Sequence, residues 1–209
     1  MNSFWQHEEL QVCRSTQTLA IERIRRGGYE RPFAISCRRQ TDGFGRRGDT
    51  WIESGKSVSL SLAWHVDDSE CKPDERWPSW ISLWVQQALV AYAPKLSTQL
   101  RLKWPNDLVV GDKKLGGVLV NQFIYDARTY RVAGIGLNIA WVNPQPNSFS
   151  SIDLETVLGR PVEQSHIVQR VLDGVARGLS GQTSQEILDS AVGDLLKQPT
   201  FAKLSFEKN

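Results

Sequence analysis

An alternation of apolar and small residues between positions 57 and 66 constrains the fold of this chain more than any other feature. Successive side chains of a β-strand point to opposite faces of a sheet, so a period of two predicts a strand with one apolar face. We therefore expect a half-buried strand here, and a strand requires neighbouring strands. The apolar positions are Val58, Leu60, Leu62, Trp64 and Val66, and the positions between them are Ser57, Ser59, Ser61 and Ala63.

Further apolar segments predict the partners of this strand. A buried strand is expected over residues 32–37, where it leads into a glycine-rich segment. Residues 100–104 and 108–110 alternate around a turn at Pro105-Asn106, and residues 115–124 follow a turn at Gly111-Asp112. Residues 100–124 therefore predict a strand–turn–strand meander, and residues 130–139 predict the strand that follows it.

Helical patterns lie between and after the strands. Residues 15–26 predict a helix with Ser15 or Thr16 as its N-cap, ended by Gly27-Gly28. An apolar stripe from Ile81 to Tyr92 predicts a second helix that ends before Pro94. Residues 167–179 and 187–196 also have a helical pattern. Three tryptophans at helical spacing are expected to pack in the core: Trp77, Trp80 and Trp84.

Length and composition limit the functional classes. A chain of 209 residues is long enough for one main domain, and no apolar run approaches the length of a membrane-spanning helix. The N-terminus lacks a basic segment followed by an apolar one, so we expect a cytoplasmic protein. Three widely spaced cysteines predict reduced thiols, and Cys37 is expected to be buried. The net charge of +2 is too small to imply nucleic-acid binding, whereas the arginines concentrated early in the chain favour a local anionic ligand.

Two segments combine residues that suit an anionic ligand. The first, residues 40–51, holds three glycines, whose backbone approaches ligands closely, and the arginines Arg46 and Arg47, which fork onto phosphate or carboxylate oxygens. The second is Lys-Trp-Pro-Asn-Asp at residues 103–107, followed by Lys-Leu-Gly-Gly at residues 114–117. Together they indicate activation of a carboxylic acid by ATP.

A pair of glycines marks one face of the last predicted strand. Gly134, Gly136 and Asn138 alternate with Ile135, Leu137 and Ile139. Two glycines on one face leave bare backbone, which in a strand either relieves crowding or lets a ligand lie close. The sequence does not choose between these explanations. The histidines and cysteines have no spacing typical of a metal site.

With the glycine loop, the Lys-Trp-Pro-Asn-Asp turn, Lys-Leu-Gly-Gly and Gly-Ile-Gly-Leu-Asn in this order, the chain resembles the catalytic domain of biotin protein ligases over roughly residues 15–138. The resemblance implies an α+β fold, a mixed β-sheet flanked by helices, related to class II aminoacyl-tRNA synthetases. It also implies a single catalytic domain over residues 1–209, with a motif-bearing core at about 15–140 and a helical part at about 150–209. We expect neither an N-terminal DNA-binding domain nor a C-terminal β domain.

The resemblance assigns roles to particular residues. It implies that Lys114 contacts the biotin carboxylate and the α-phosphate, that Arg46 holds the activated intermediate, and that Asp107 accepts or orients the proton of the acceptor amine. No metal site is firmly implied, although Asp107 and Asn138 are candidates near a magnesium ion. The remaining residues expected to bind biotin or its adenylate are Ser15, Thr16, Gln17, Gln40, Gly43, Gly45, Arg47, Gly48, Trp51, Lys103, Trp104, Asn106, Gly117, Gly134, Gly136 and Asn138. Trp104 is expected to form a wall of the biotin pocket.

The chemistry explains these residue types. A carboxylate becomes reactive toward an amine only as a mixed anhydride with AMP, so the site must neutralise charge on two anions and on the leaving pyrophosphate. Lysine and arginine supply that charge. A flexible glycine loop that orders over the intermediate excludes water. Magnesium is expected to accompany the nucleotide.

The chain departs from the family pattern at several positions. Phe44 stands where arginine is usual, Asp49 replaces a common basic residue, Gln17 replaces asparagine, and Asn121 falls where glutamate is usual. The hypothesis is a ligase that makes biotinyl-AMP and transfers biotin to a lysine of a biotin carboxyl carrier protein, without DNA or membrane partners and with a homodimer as an open possibility. The alternatives are a lipoate or octanoate ligase or transferase and a binding protein that holds biotin without transferring it.

Overall fold

The alternating segment forms an inner strand of a mixed sheet in the computed structural model, which describes residues 4–27, 31–46, 49–51, 55–66, 75–141 and 150–182. The strands are β1 (Gln6–Cys13), β2 (Phe33–Gln40), β3 (Gly55–Val66), β4 (Leu100–Lys103), β5 (Asp107–Val110), β6 (Lys113–Tyr125) and β7 (Arg128–Trp141). The helices are α1 (Thr16–Arg25), α2 (Trp77–Tyr92), α3 (Leu154–Leu158) and α4 (Gln164–Arg177), with a 3-10 turn at Pro94–Thr98 and a π turn at Gly178–Gln182.

The sheet order is β1-β2-β3-β7-β6-β5-β4. β1 and β2 are parallel, and every other neighbouring pair is antiparallel. β4, β5 and β6 follow one another through turns, which confirms the predicted meander, and β7 follows β6 through a further turn. The sheet is therefore mixed, as expected.

The prediction that the alternating strand is half-buried was wrong. Its serine face is as buried as its apolar face, since Ser57, Ser59 and Ser61 are each no more than 3% exposed. The apolar face packs on a helical layer, while the serine face lies beneath α1 and a cavity. Small polar residues at those positions indicate a crowded interior wall and not contact with solvent.

The sequence analysis missed β1, α3 and the 3-10 turn. β1 is an edge strand whose residues are mostly exposed, so it carries no apolar alternation, and it is recruited by parallel pairing with β2. α2 begins at Trp77, four residues before the predicted stripe, and has a proline in its first turn. α4 covers most of the helix predicted over residues 167–179, whereas the helix predicted over residues 187–196 lies outside the described residues.

Helices cover both faces of the sheet. α2 and α4 pack on one face and on each other, and the three tryptophans of α2 are buried as predicted. α1 covers part of the opposite face, where Ala20 and Ile24 pack among residues of β2, β3 and β7, including Phe33. The Cys37 side chain is buried as well. None of the helices in the described ranges is long and apolar enough to span a membrane.

The position of the first residue of α1 determines which part of this sheet face the helix leaves uncovered. Ser15 is the N-cap, and its hydroxyl accepts a hydrogen bond from the Thr18 amide at 3.3 Å, which satisfies a backbone donor of the first turn. Because α1 begins here, the helix leaves uncovered the part of the sheet next to its N-terminus. Ser15, Thr16 and Gln17 line the cavity that occupies this space.

Candidate active site

A cavity of about 340 Å³ lies between the first turn of α1, the glycine-bearing faces of β6 and β7, and the loop after β2. This volume is within the usual range for a small-molecule site. Thirteen of the residues predicted for the site line it, and they come from segments distant in the sequence. They are Ser15, Thr16, Gln17, Gln40, Gly45, Arg46, Trp51, Asn106, Asp107, Lys114, Gly117, Gly134 and Gly136.

The two glycines of β7 make room for other cavity-lining side chains. A methyl group on Gly136 would lie 2.7 Å from the Trp51 ring, and one on Gly134 would lie 2.8 Å from Oε1 of Gln17. Both distances are shorter than van der Waals contact, so a larger residue requires the neighbour to move. Relief of crowding is therefore the explanation that the structure supports for these glycines. The cavity lies along the same face.

A network of oxygen atoms forms the end of the cavity nearest α1. Oε1 of Gln40 accepts from the Thr16 backbone amide at 2.8 Å and from the Thr16 hydroxyl at 3.1 Å. The Ser61 hydroxyl lies 2.9 Å from both Oγ1 of Thr16 and Oε1 of Gln17. Two hydroxyl protons serve these three oxygen–oxygen contacts, because each hydroxyl has one proton to donate. This end of the cavity therefore has a surplus of acceptors and suits a ligand that donates N–H groups.

A lysine and a carboxylate form an ion pair on the cavity wall. Nζ of Lys114 lies 2.7 Å from Oδ1 of Asp107, and the two side chains are 40% and 26% exposed. They approach each other because β5 and β6 pair as a hairpin, with Asp107 opposite Gly117. A methyl group on Gly117 would lie 3.2 Å from Oδ1 of Asp107 and 3.4 Å from Nζ of Lys114. The absence of a side chain at Gly117 thus leaves room for the ion pair between Lys114 and Asp107.

The glycine-rich loop folds back on itself beside the cavity. The Gly45 amide donates to Asp49 O at 2.7 Å, and the Trp51 amide donates to Gly43 O at 2.9 Å. Phe44 and Thr50 form an isolated antiparallel bridge between these bonds. Both residues line the cavity. The loop thereby brings an aromatic side chain to the position where the family pattern has arginine. Arg47 and Gly48, which were also predicted to bind the ligand, lie outside the described residues.

Arg46 connects this loop to the Lys-Trp-Pro-Asn-Asp turn. Its guanidinium donates to Oδ1 of Asn106 at 3.2 Å, and the Asn106 amide in turn donates to Val118 O at 2.7 Å. Arg46 lines the cavity, where its remaining donors suit an anionic group. The turn, the loop and β6 are thus joined by side-chain hydrogen bonds.

Four predicted residues do not line this cavity. Lys103 is an exposed residue at the end of β4, and a methyl group on Gly43 would lie 2.8 Å from Nε2 of Gln40 and 3.3 Å from Cβ of Trp51. Trp104 lines an adjoining cavity of about 810 Å³, which shares Arg46, Pro105 and Leu119 with the first. The Asn138 amide donates to Ile152 O at 3.0 Å and Lys114 O at 3.4 Å, so it joins β7 to β6 and to the segment before α3, beside the site.

The sequence analysis missed several residues at the cavity. Ser59 and Ser61 line it because β3 pairs with β7 in a register that places them opposite Gly136 and Gly134. Leu119 of β6 also lines it. Asn121 does not line the cavity, but it accepts a hydrogen bond from Gln17. The alternation of serines was a signal in the sequence, but its meaning depended on the strand pairing.

Comparison with known proteins gives a family for this arrangement. Residues 9–138 match the sequence profile described as the biotin/lipoate A/B protein ligase family. A Bacillus subtilis protein named bifunctional ligase/repressor BirA is 28% identical over 169 residues, which are 77% of this chain and 50% of that protein. The chain therefore spans about half the length of this relative.

Solved structures give the same result for the fold. The Helicobacter pylori biotin acetyl coenzyme A carboxylase synthetase with bound biotinylated ATP is 26% identical, with a TM-score of 0.68 over 90% of this chain and 80% of that one. The Aquifex aeolicus biotin protein ligase in complex with biotin and ATP is 22% identical, with a TM-score of 0.71 over 90% and 76%. These similarities confirm the predicted α+β fold with a mixed sheet.

Proposed function

Since the chain belongs to the biotin/lipoate A/B protein ligase family, we propose that it activates biotin with ATP and transfers it to a lysine of a biotin carboxyl carrier protein. One observation carries the proposal. A single cavity holds an acceptor-rich end, formed around Gln40 and Ser61, and a charged wall with Lys114, Asp107 and Arg46. Biotin has matching ends, a ureido ring with two N–H donors and a carboxylate.

In the first half-reaction, a biotin carboxylate oxygen attacks the α-phosphorus of ATP, and pyrophosphate leaves as the new anhydride bond forms. Lys114 neutralises negative charge on the carboxylate and the α-phosphate, and Arg46 donates to the phosphate oxygens. The resting ion pair holds Lys114 at the cavity wall. As the lysine moves to the anionic ligand, the carboxylate of Asp107 is released from it.

In the second half-reaction, the acceptor lysine amine attacks the acyl carbon, an amide bond forms and AMP leaves. The attacking amine must lose a proton, and Asp107 is the carboxylate at the cavity wall next to Lys114. We assign to it the acceptance or orientation of that proton. The hairpin formed by the glycine-rich loop shields the anhydride from water.

Magnesium enters this proposal with the nucleotide. Within the described ranges, no group of three or more His, Cys, Asp and Glu side chains is arranged to hold a metal ion. Magnesium is usually bound by one or two carboxylates together with substrate phosphates and water, and Asp107 would contact it only through that water shell. Both hydrogen bonds described for Asn138 use its amide nitrogen, which leaves its oxygen as a candidate for the water shell. The ion would neutralise the leaving pyrophosphate.

The acceptor-rich network favours biotin over lipoate. The dithiolane ring of lipoate has no N–H group, so it would leave the oxygens around Thr16, Gln40 and Ser61 without an added donor. A site built to accept hydrogen bonds discriminates strongly against an analogue that lacks the donors. This argument also applies to octanoate. A homologue that only binds biotin would have no need for the proton acceptor that Asp107 supplies.

Titration calorimetry with biotin, lipoate and octanoate, followed by a pyrophosphate-release assay with ATP, tests the proposal. We expect binding of biotin, at least about a hundredfold preference over lipoate, and pyrophosphate release that depends on biotin. Tighter binding of lipoate would favour the lipoate ligase alternative. Biotin binding without pyrophosphate release would favour the binding protein.

The partners and location remain part of the proposal. The second half-reaction requires an amine, and we propose that a carrier-protein lysine supplies it. Use of ATP and the buried Cys37 thiol are consistent with a cytoplasmic protein. Transfer of labelled biotin to a purified carrier domain, compared with a variant whose acceptor lysine is arginine, tests the partner directly.

A further inference from the structure

The side chain of Gln17, at the start of α1, makes three hydrogen bonds, two at its amide nitrogen and one at its oxygen. Its amide nitrogen donates to Oδ1 of Asn121 at 2.9 Å and to Val132 O at 2.9 Å, and its oxygen lies 2.9 Å from the Ser61 hydroxyl. The Gln17 side chain is buried and lines the cavity. Asn121 and Val132 face each other across β6 and β7, so both partners are fixed by the sheet.

These contacts determine which way the amide of Gln17 faces. A backbone carbonyl only accepts hydrogen bonds, so the group that faces Val132 must be the amide nitrogen. The second proton on that nitrogen is directed to the oxygen of Asn121. Oε1 of Gln17 is therefore turned toward Ser61 and toward the bare backbone of Gly134, on the cavity side.

We propose that Asn121 is a positioning residue for biotin, which fixes the Gln17 amide so that its oxygen accepts an N–H of the ureido ring. The inference rests on the proposed function. Asn121 is not among the residues that line the cavity, and its described contact with the site is the hydrogen bond to Gln17. It therefore acts through Gln17 and not by touching the ligand.

Loss of the Asn121 oxygen would leave one amide proton of Gln17 without its partner. The amide would then be held at its nitrogen by Val132 alone, so its oxygen would be held less tightly in the direction of the ligand. A typical protein hydrogen bond changes an equilibrium by about two- to tenfold, so we expect biotin binding to weaken by about fivefold. Chemistry after binding should be unaffected, because Lys114, Asp107 and Arg46 are not part of this contact.

The test compares Asn121→Leu, which removes the acceptor at similar volume, with Asn121→Asp, which keeps it. We expect Asn121→Leu to raise the Kd and KM for biotin about fivefold, with unchanged kcat and unchanged KM for ATP. Asn121→Asp should stay within about twofold of the parent protein. If Asn121→Leu fails to fold, Asn121→Ser, whose hydroxyl is too short to reach Gln17, replaces it.

A second ligand separates positioning from packing. Biotin methylated at one or the other ureido nitrogen lacks one N–H donor, so one of the two isomers should bind the parent protein and Asn121→Leu equally. Equal biotin affinity of the parent and Asn121→Leu would overturn the positioning role alone. The positioning role would also be overturned if Asn121→Leu and Asn121→Asp weakened biotin binding equally. The same holds if Asn121→Leu weakened the binding of both methylated biotins to the same extent. Failure of the parent protein to bind biotin would refute the proposed function itself.

Discussion

Replacement of Lys114 by alanine should nearly abolish adenylate formation while leaving the fold almost as stable as before. The lysine forms a 2.7 Å ion pair with Asp107 on the wall of the cavity. In the proposed reaction it leaves this partner and neutralises charge between the biotin carboxylate and the α-phosphate. The Lys114 side chain thus contributes both to the free energy of unfolding and to the activation free energy of adenylate formation.

The structure sets the magnitude of each contribution. With 40% of the Lys114 side chain and 26% of the Asp107 side chain exposed, water screens the pair, so its loss should lower the free energy of unfolding by about 1 kcal/mol or less. Loss of a transition-state contact to developing charge usually costs about a hundredfold in rate, or about 2.7 kcal/mol. Activity should therefore fall far more than stability.

The assays are biotin-dependent pyrophosphate exchange and urea unfolding, with Lys113→Ala as the matched control. Lys113 is the adjacent lysine on β6, and it is exposed and does not line the cavity. Its replacement should change exchange by less than about twofold. Asp107→Asn separates the half-reactions, because it should slow single-turnover transfer from preformed biotinyl-AMP much more than exchange. That transfer defect should shrink at high pH, where more of the acceptor lysine is already neutral.

Two results would refute this reasoning. If Lys114→Ala and Lys113→Ala slowed exchange equally, the lysine would have no specific contact with the reacting groups. If Asp107→Asn impaired exchange and left transfer intact, the carboxylate would belong to magnesium or nucleotide binding. A large loss of stability in Lys114→Ala would show that the ion pair is structural.

Other residues give further predictions. Gly136→Ala should raise the KM for biotin about tenfold or more, because its methyl group would lie 2.7 Å from the Trp51 ring; an unchanged KM in steady-state assays would contradict the crowding argument. Arg46→Gly should release biotinyl-AMP and label bystander proteins, which blotting for biotin on added albumin detects; labelling confined to the carrier would refute its retention role. Burial lowers the pKa of His7 below 6.5, and Glu9 partly opposes the shift. Because the His7 pKa is lower in the folded chain, the unfolded chain binds a proton at His7 at a higher pH. The free energy of unfolding should therefore fall as the pH drops below about 6.5. Urea titrations at pH 7.5 and 5.5 should show this loss in the parent and a smaller one in His7→Gln; equal losses would refute it.

Local patterns were sufficient for the elements whose signals lie within a few residues. The alternation in β3, the N-cap at Ser15 and the turns at Pro105-Asn106 and Gly111-Asp112 all depend on backbone geometry and neighbouring side chains. The prediction failed where burial depends on distant segments. β3 is buried on both faces because α1 and the cavity cover its serines, and β1 is a strand only because β2 pairs with it.

The chain by itself determined the family and most of the cavity-lining residues, since thirteen of the predicted residues meet at one cavity. Its ordered motifs carry that information because the lysine and arginine suit the proposed charge chemistry and the glycines leave room for side chains of other segments. Only the tertiary structure decided the contacts between segments far apart in the sequence. It placed Trp104 along a different cavity and brought Asn121 to Gln17, a contact across 104 positions. Such contacts follow from strand register and helix docking, which depend on the packing of the whole core and are not encoded by any short segment.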